Sequence, residues 1–312
     1  MVKPVRVAVI GVGYVGTLHA QVYAKLQEAR LVAVCDSQAE RAKVVASQLG
    51  CEAVTDLRQL FSRVDAASVA VPTSAHYAVG RTLLEHGIHV LIEKPLTTTL
   101  GQADRLLVLA KRVRRILQVG HIERFNAAIQ AARRYLTHPR FIEAHRLSPY
   151  PFRGTDVSVV LDVMIHDLDL VLQLVRAQPV KIDALGIPVL SRSEDLANVR
   201  LVFPSGCVAN LTASRVSDES LRRLRIFQED GYCSIDYKAQ TAKLARKGAG
   251  GIQRQTLVVQ RRPPLDDELR AFVHAVAAGK RPVVSGEEAR EALALALQIE
   301  RVIRRAPRRA AS

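Results

Sequence analysis

A glycine-rich turn between a short apolar strand and a helix constrains the fold of this chain more than any other feature. The apolar run Val5–Ile10 is followed directly by glycines at Gly11, Gly13 and Gly16, and then by apolar residues at helical spacing. Asp36 ends the next apolar run, 20 residues after Gly16. This order of strand, glycine turn, helix and carboxylate is typical of the first βαβ unit of a dinucleotide-binding domain.

Each glycine has a separate role in such a turn. Gly11 permits the tight turn, Gly13 lets the backbone approach a pyrophosphate, and Gly16 lets the helix pack on the strand. Asp36 can accept hydrogen bonds from both hydroxyls of an adenosine ribose but would repel a 2′-phosphate, and the first arginine after it is Arg41. The sequence therefore predicts NAD as the cofactor in preference to NADP.

The remaining elements divide the chain into two predicted domains. Up to Gly120, helices at 40–49, 76–86 and 100–112 alternate with strands at 66–71, 89–92 and 116–119. Beyond it, a helix at 126–135 is followed mainly by strands, at 141–146, 180–188, 197–203, 207–214, 224–227 and 232–237, and 248–251 is expected to be a loop. We predict an α/β protein with a Rossmann domain on a doubly wound parallel sheet, 1–120, and an α+β domain on a large open, mostly antiparallel sheet, 121–312. A C-terminal helix at about 285–305 could pack back on the Rossmann domain.

Composition fits a globular cytoplasmic enzyme. Of the 312 residues, 48% are hydrophobic and 24% are charged, which is enough apolar material for two cores. The sequence shows no signal-peptide pattern and no apolar run of membrane-spanning length, so we expect no membrane span. The four cysteines, Cys35, Cys51, Cys207 and Cys233, form no CxxC pair, which predicts reduced thiols and no metal site.

The net charge of +15 raises the question of nucleic-acid binding. The basic residues are scattered in short groups, however, and aromatic residues for base stacking make up only 4% of the chain. We therefore expect no nucleic-acid partner and interpret the charge as compatible with small anionic ligands. The arginine-rich tail after Glu300 is typical of a frayed helix end.

A line of polar residues on an otherwise largely apolar helix marks the second domain. Between 157 and 175 they recur in steps of four, four, three and four, as Ser158, Asp162, His166, Asp169 and Gln173. Charges on a buried helix cost on the order of several kcal/mol unless they are paired or face a ligand cavity. Two interpretations stay open: the line faces a cavity, or it is a satisfied structural network in which Asp162 or Asp169 holds His166.

A lysine lies at the edge of the predicted parallel sheet where ligands bind. Glu93-Lys94-Pro95 directly follows the strand His89–Ile92. Lys94 can hydrogen-bond a substrate hydroxyl and stabilise the alkoxide that develops as hydride leaves, and Pro95 would fix the backbone that aims it. A Lys-Pro pair after a strand can also be structural or solvated, and its position is what favours chemistry here.

These segments together resemble the glucose-fructose oxidoreductase, inositol dehydrogenase and MocA family of NAD(P)-dependent oxidoreductases. The resemblance spans most of the chain and rests on the glycine turn with Asp36, Pro72-Thr73 with His76, Glu93-Lys94-Pro95, and Asp162-Val163-Met164-Ile165-His166-Asp167-Leu168-Asp169. It implies that Lys94, Asp162 and His166 form the catalytic group. It also implies that the Lys94–Pro95 peptide can be cis.

One further segment narrows the resemblance. Residues Gly120-His121-Ile122-Glu123-Arg124-Phe125-Asn126 are similar to the GHxERFNP signature of a subgroup that includes UDP-N-acetylglucosamine 3-dehydrogenases, although Ala127 replaces the proline. The resemblance implies oxidation of the 3-hydroxyl of UDP-N-acetylglucosamine, giving a 3-keto sugar that an aminotransferase could aminate for lipid A or surface polysaccharide. It further implies a homo-oligomer, tetramer ahead of dimer, built through the C-terminal sheet.

The implied mechanism gives each site residue a role. His166 is the general base, Asp162 orients it, and Lys94 lowers the energy of the alkoxide. The expected cofactor contacts are Gly11, Gly13, Tyr14, Val15, Gly16 and Asp36 around the pyrophosphate and adenosine, with Thr73, His76, Glu93 and Lys94 nearer the nicotinamide ribose. Thr73 and His76 could instead be a helix N-cap and a first-turn histidine.

Two other classes of function stay open. The first is the same fold acting on an inositol, a free sugar or a UDP-sugar acid. The second is a nicotinamide-sensing regulator with a vestigial catalytic group, which the presence of Lys94, Asp162 and His166 disfavours because a sensor needs none of them.

Overall fold

The computed structural model describes residues 3–150 and 157–305. The chain divides into two compact units. The first unit contains the residues up to Ile122 together with Pro263–Arg290, and the second contains Glu123–Arg262 together with the residues from Glu291 onward. This division differs from a single cut at residue 120, because a C-terminal segment returns to the first unit.

The first unit is built on a parallel sheet. Its strands are β1 (Val5–Ile10), β2 (Ala29–Cys35), β3 (Glu52–Val54), β4 (Ala66–Val69), β5 (His89–Ile92) and β6 (Leu117–Val119), and its helices up to residue 122 are α1 (Tyr14–Tyr23), α2 (Ala39–Leu49), α3 (Thr73–Glu85) and α4 (Leu100–Arg112). The strand order is β3-β2-β1-β4-β5-β6, and every pair is parallel. The chain runs outward from β1 in both directions, so β1 and β4 form the switch point beside which doubly wound sheets bind ligands. The predicted Rossmann fold is confirmed.

The second unit contains an eight-stranded sheet. Its helices in the middle of the chain are α5 (Ala127–Ala132) and α6 (Ile165–Val175), and its strands are β7 (Phe141–Leu147), β8 (Lys181–Ile187), β9 (Leu196–Val202), β10 (Val208–Ser214), β11 (Leu221–Phe227), β12 (Gly231–Asp236), β13 (Thr241–Gly248) and β14 (Gly251–Thr256). The order is β14-β13-β12-β11-β7-β10-β9-β8, with β7 and β10 parallel and the other pairs antiparallel. The prediction of a large, mostly antiparallel sheet is confirmed.

Alternation along the strands of this sheet separates a buried face from an open one. On β9, Ala197, Val199 and Leu201 are fully buried, whereas Asn198 and Arg200 are exposed. The buried face shares one hydrophobic core with apolar residues of the polar-lined helix. The sheet therefore supports that helix from below.

A π turn, Val160–Met164, precedes α6 and contains Asp162. The backbone just before it is held by a fully buried ion pair in which Arg215 Nε donates to Asp195 Oδ1 at 2.8 Å. Arg215 Nη1 also donates to the carbonyl oxygen of Val157 at 2.9 Å. The entry to the π turn is thereby fixed to the loop before β9.

Two helices complete the described chain. Helix α7 (Pro264–Ala278) belongs to the first unit, and the division between the units falls within α8 (Gly286–Arg305). Helix α8 continues past Glu300, so the first part of the predicted frayed tail is helical, while 306–312 lie outside the described residues. Within the described ranges, no helix is both long and apolar enough to cross a membrane.

Candidate functional site

The glycine turn has the close packing that its predicted roles require. Gly11 adopts φ +82°, and a Cβ there would lie 2.7 Å from the Ala70 carbonyl oxygen. A Cβ on Gly16 would lie 1.8 Å from the Gly11 carbonyl oxygen, so α1 approaches the turn as closely as backbone allows. Gly13, in contrast, has nothing within 4 Å of where its Cβ would be. The space over Gly13 can accept a ligand that approaches the backbone.

Helix α1 begins beside that space without a side-chain cap. Its N-cap is Gly13, which leaves the first backbone N–H groups without an internal side-chain partner. The first two helical residues, Tyr14 and Val15, are 64% and 42% exposed although both are largely apolar. An uncapped helix N-terminus flanked by exposed apolar side chains suits an anionic group joined to flat rings.

Asp36 is held in place by backbone donors. Its Oδ2 accepts from the N–H of Val12 at 2.9 Å and its Oδ1 accepts from the N–H of Gln38 at 2.9 Å. Arg41 Nη1 also lies 3.5 Å from Oδ2. The carboxylate therefore links the end of β2 to the glycine turn, and Arg41 is close enough to affect the choice between NAD and NADP.

His76 and Thr73 lie at the start of α3, after β4. Pro72 is the N-cap of this helix and Thr73 is its first residue, with no side-chain capping bond. The buried His76 ring contacts two carbonyl oxygens, Nδ1 with Pro95 and Nε2 with Val71, both at 2.9 Å. Burial lowers the pKa of His76, against the opposing effect of these carbonyls. Its nitrogens thus tie the segment after β5 to the end of β4, and a contact with cofactor stays a prediction.

In the segment after β5, Glu93 and Lys94 are both half-buried. Glu93 Oε1 lies 3.1 Å from Nε2 of His19, and Oε2 accepts from the backbone N–H of Lys94 at 3.2 Å. The Lys94–Pro95 peptide is cis, as the family resemblance implied. Burial opposes ionisation of Glu93, but His19 and the Lys94 charge outweigh it and hold its pKa below the ordinary value. Glu93 is therefore a half-buried anion that is bonded to the Lys94 backbone.

Unlike Glu93, the carboxyl group of Glu268 in the first unit has no hydrogen-bond partner among the described residues. Both oxygens of the fully buried Glu268, on α7, lack a partner among the described residues. Burial raises its pKa well above the ordinary value, and the negative charge of Glu93 raises it further. Burial also raises the pKa of Tyr23, against the opposing effect of its hydrogen bond to Ser68. Glu268 is thus held as the neutral acid while Glu93 is ionised.

In the second unit, the residues of the polar line fall into two sets: buried residues with structural partners, and half-buried residues. Ser158 donates to Glu300 Oε1 at 2.6 Å, and Asp169 is buried against Arg124. Asp162 and His166 are half-buried, as is Gln173. A π turn contains more residues than an α turn, so a line drawn at 3.6 residues per turn does not continue through it. The line predicted from the sequence is therefore not one continuous functional surface.

The two carboxylates that follow His166 on α6, Asp167 and Asp169, are paired with arginines. Arg124 forms a bidentate pair with Asp169, with N–O distances of 2.7 and 2.6 Å. Arg146 forms a second bidentate pair with Asp167, at 2.9 and 3.0 Å. Both pairs are almost completely buried, and removing one partner of such a pair typically costs about 3–5 kcal/mol.

The signature segment supplies much of this support. Besides Arg124, it contributes Glu123, whose Oε1 accepts from Arg146 Nη1 at 2.8 Å. Asn126 donates to Glu123 at 3.2 Å and to the Tyr237 carbonyl oxygen at 3.0 Å, and its Oδ1 caps α5. We did not predict these contacts from the sequence. The available signal was the neighbouring pair Glu123 and Arg124, two charged residues of opposite sign that the fold buries. They fix the helix that carries His166.

Among the described residues, no group of three or more His, Cys, Asp and Glu side chains is arranged to hold a metal ion. What the first unit offers is a glycine turn at an uncapped helix, a carboxylate at the end of β2 and a lysine at the end of β5. These features define a nicotinamide-dinucleotide-binding enzyme of the two-unit dehydrogenase type.

The chain belongs to the Gfo/Idh/MocA family. The model of that oxidoreductase family's NAD-binding Rossmann fold matches residues 5–121, and the model of the Gfo/Idh/MocA C-terminal domain matches residues 111–234. The first unit is thus an NAD-binding domain, and the protein is an oxidoreductase.

Individual relatives extend over nearly the whole chain. UDP-N-acetylglucosamine 3-dehydrogenase of Acidithiobacillus ferrooxidans is 40% identical over 301 residues, which cover 94% of this chain and 96% of the relative. A solved structure of that enzyme matches with a TM-score of 0.92 and 39% identity, covering 96% of this chain and 98% of its own. Myo-inositol 2-dehydrogenase of Thermotoga maritima is 28% identical over 312 residues, covering 93% of each protein.

The contacts of Asp36 lead to a prediction about cofactor choice. Asp36→Ala should weaken NAD binding by about 10- to 100-fold, because bonds to a charged group are lost. NADP binding should weaken less or improve, since a repulsive charge is removed and Arg41 is freed to meet the 2′-phosphate. Dissociation constants for both cofactors measure this, with Glu40→Ala as the control, because the exposed Glu40 contacts Lys43 instead. An unchanged NAD-to-NADP ratio in Asp36→Ala would contradict the assignment.

The state of Glu268 predicts how stability depends on pH. Its pKa is raised in the folded protein, so its contribution is fully present below the unfolded value, about 4.3, and is lost as pH rises toward the folded value. Glu268→Gln does not titrate, and its stability relative to the wild type should rise by about 1 kcal/mol or more between pH 4.5 and pH 8. Urea unfolding at a series of pH values measures this. Glu287→Gln, at an exposed position of α8, should show no such trend.

Proposed function

We propose that this protein is an NAD-dependent sugar-nucleotide dehydrogenase that oxidises the 3-hydroxyl of UDP-N-acetylglucosamine. The observation that carries the proposal is 40% identity to an enzyme of that name over 94% of the chain. Lys94, Asp162 and His166 support it, because each has the chemistry that alcohol oxidation requires.

The first unit fits the cofactor. The open space at Gly13 and the uncapped start of α1 suit a pyrophosphate, and the anchored Asp36 carboxylate suits the adenosine ribose. When bound, NAD accepts the hydride that leaves the alcohol carbon. We assign the pyrophosphate and adenosine contacts to Gly11, Gly13, Tyr14, Val15, Gly16 and Asp36. We assign Thr73 and Lys94 to the nicotinamide side, with Glu93 and His76 supporting that side from beneath.

The chain's own residues divide the proton and charge chemistry. His166 takes the hydroxyl proton while the electron pair of the C–H bond leaves as hydride and a C=O bond forms. Asp162 orients the imidazole and stabilises its protonated form. Lys94 donates to the same oxygen and stabilises its developing negative charge, which is greatest in the transition state.

The product's chemistry suggests the next reaction. A 3-keto sugar nucleotide carries a reactive carbonyl, and an aminotransferase could convert it to a 3-amino sugar for lipid A or surface polysaccharide. We propose that the reaction takes place in the cytoplasm and that the link to the aminotransferase is functional.

A second candidate is the same oxidation of an inositol, another free sugar or a UDP-sugar acid. The 28% identity to myo-inositol 2-dehydrogenase favours keeping it, because the same fold and the same lysine, aspartate and histidine could serve either substrate. A nicotinamide-sensing regulator is disfavoured, since it would not need a base and an alkoxide-stabilising cation.

A substrate panel separates these candidates. Purified protein with NAD is incubated with UDP-N-acetylglucosamine, UDP-N-acetylglucosaminuronic acid, free N-acetylglucosamine and myo-inositol, and nicotinamide absorbance and product mass are followed. The proposal expects reduction of NAD and loss of two mass units for UDP-N-acetylglucosamine. Turnover of inositol alone would contradict the proposal and support the second candidate. Absence of turnover with every alcohol tested would favour the nicotinamide-sensing regulator.

We also propose a homotetramer built through the open face of the eight-stranded sheet. That face carries exposed side chains such as Asn198 and Arg200 on β9, and an extended sheet face of this kind is commonly buried against a copy of itself. Light scattering at micromolar concentration should give about four times the 34.3 kDa chain mass. A monomer would refute an oligomer of either size, and a dimer would refute the tetramer.

Mutation of the base and the lysine tests the catalytic assignment. His166→Asn removes proton acceptance, so turnover should fall by about 100- to 10,000-fold with little change in NAD affinity or melting temperature. Lys94→Met should behave similarly, because it removes charge felt chiefly in the transition state. Single-turnover rates and melting curves measure both properties on the same samples.

A matched control lies on the same helix. Gln173→Asn changes another half-buried member of the polar line and should leave turnover unchanged. If His166 and Lys94 are scaffold, their variants will instead lose about 1–3 kcal/mol of stability and turn over normally when folded.

A further inference from the structure

We propose that His19 is a positioning residue for Lys94 and acts through the carboxylate of Glu93. The observation is a short chain of contacts in the first unit: His19 Nε2 lies 3.1 Å from Glu93 Oε1, and Glu93 Oε2 accepts the backbone N–H of Lys94 at 3.2 Å. The proposal rests on the role of Lys94 in the proposed function. Neither the glycine turn nor the lysine motif, taken separately, indicates it.

The pocket around Glu93 is shaped to hold its carboxylate in one place. A Cβ on Gly120 would lie 2.6 Å from Glu93 Oε1, so the absence of a side chain there makes room for that oxygen. The His19 side chain is fully buried and that of Glu93 is 18% exposed. Glu93 is thus confined between α1, the end of β6 and its own backbone.

The glycine turn determines where His19 lies. Gly16 permits close packing of α1 on the turn, and His19 follows it by three residues, on the same face of the helix. The contact that suits the turn for a dinucleotide also brings the imidazole to Glu93. One helix can therefore serve cofactor binding with its first residues and lysine positioning with its second turn.

Of the two side chains, only His19 can donate, because an ionised carboxylate can only accept. Its Nε2 lies 3.1 Å from Glu93 Oε1 without full hydrogen-bond geometry, so the structure shows a close polar contact between them. The side chain of Glu268 has no hydrogen-bond partner among the described residues and so provides no competing support for Glu93. His19 is the side chain that meets this anion from α1.

The Glu93 carboxylate holds the backbone of Lys94 in place. Its N–H is bonded to Glu93, and the next peptide leads into Pro95, whose carbonyl oxygen contacts His76. A lysine side chain is a flexible four-carbon stem, so anchoring its backbone narrows the positions that the ammonium group can reach. Loss of the Glu93 contact should therefore affect the transition state more than substrate binding.

Kinetics of matched variants test the proposal. His19→Leu keeps buried volume and removes the donor, so kcat should fall by about 10- to 100-fold while KM changes little. His19→Gln, whose amide can reach Glu93, should recover most of the loss. Glu268→Gln, in the same unit but outside this chain of contacts, should keep wild-type kcat. Should the leucine variant not fold, His19→Asn, whose amide is too short to reach Glu93, takes its place.

A double-mutant cycle with Glu93→Gln tests the route. If His19 acts through Glu93, adding His19→Leu to Glu93→Gln should lower kcat by less than threefold beyond the single variant. The acidic limb of the wild-type pH–rate profile should also move to higher pH in His19→Leu, because burial then raises the pKa of Glu93 without the opposing imidazole. Independent, multiplying losses would overturn the proposal, as would an unchanged kcat with a lowered melting temperature.

A readout without turnover keeps this test separate from the proposed function. In protein labelled with ¹⁵N-lysine, the Lys94 amide resonance, assigned by its loss in Lys94→Arg, reports on the bond to Glu93. Relative to the wild type, it should move in His19→Leu but not in Glu268→Gln. An unmoved resonance would overturn the proposal even if the enzyme turns over, and a moved resonance in a protein inactive on every substrate would support it while the proposed function fails.

Discussion

The first unit depends on how closely α1 approaches the turn that precedes it. The Gly16 position leaves no room for even a methyl group, because its Cβ would lie 1.8 Å from the Gly11 carbonyl oxygen. Residues at helical spacing from Gly16 then meet the sheet: His19 reaches Glu93, and the Tyr23 hydroxyl lies 2.8 Å from Ser68 on β4. A larger residue at position 16 would shift α1 and disturb the dinucleotide turn and the support of the lysine segment together.

The second unit solves a different problem, which is charge on a mostly buried helix. Asp167 and Asp169 are buried and each forms a bidentate pair with an arginine, whereas Asp162 and His166 are half-buried. Buried pairs of this kind are costly to break and so fix orientation more than they add stability. Ser158 and Asp169 are thus held in structural contacts, while a ligand contact of the half-buried Asp162 and His166 stays a prediction.

Local features of the sequence predicted the fold best. The glycine turn and Asp36 depend on contacts between residues close in sequence. The strand and helix around the turn, and the doubly wound sheet that contains them, could therefore be predicted. The π turn at Val160–Met164 did not, because a 3.6-residue period assumes a regular helix. Strand β14 was also not predicted, since all its residues are exposed and it has no buried face to create an alternating pattern; residues 248–251, expected to be a loop, join it to β13. The segment Pro263–Arg290 belongs to the first unit although it is distant in sequence, and a local sequence pattern cannot predict such an arrangement.

The segment that begins at Gly120 indicates the family of the protein more directly than it indicates the substrate. Gly120 makes room for the Glu93 carboxylate in the first unit, while Glu123 and Arg124 pair with the residues that hold α6 in the second. One short segment therefore supports both the element that carries Lys94 and the element that carries His166. The charges of Glu123 and Arg124 are already paired inside the protein, so these two residues account for the support of α6 and not for the choice among hydroxyl substrates.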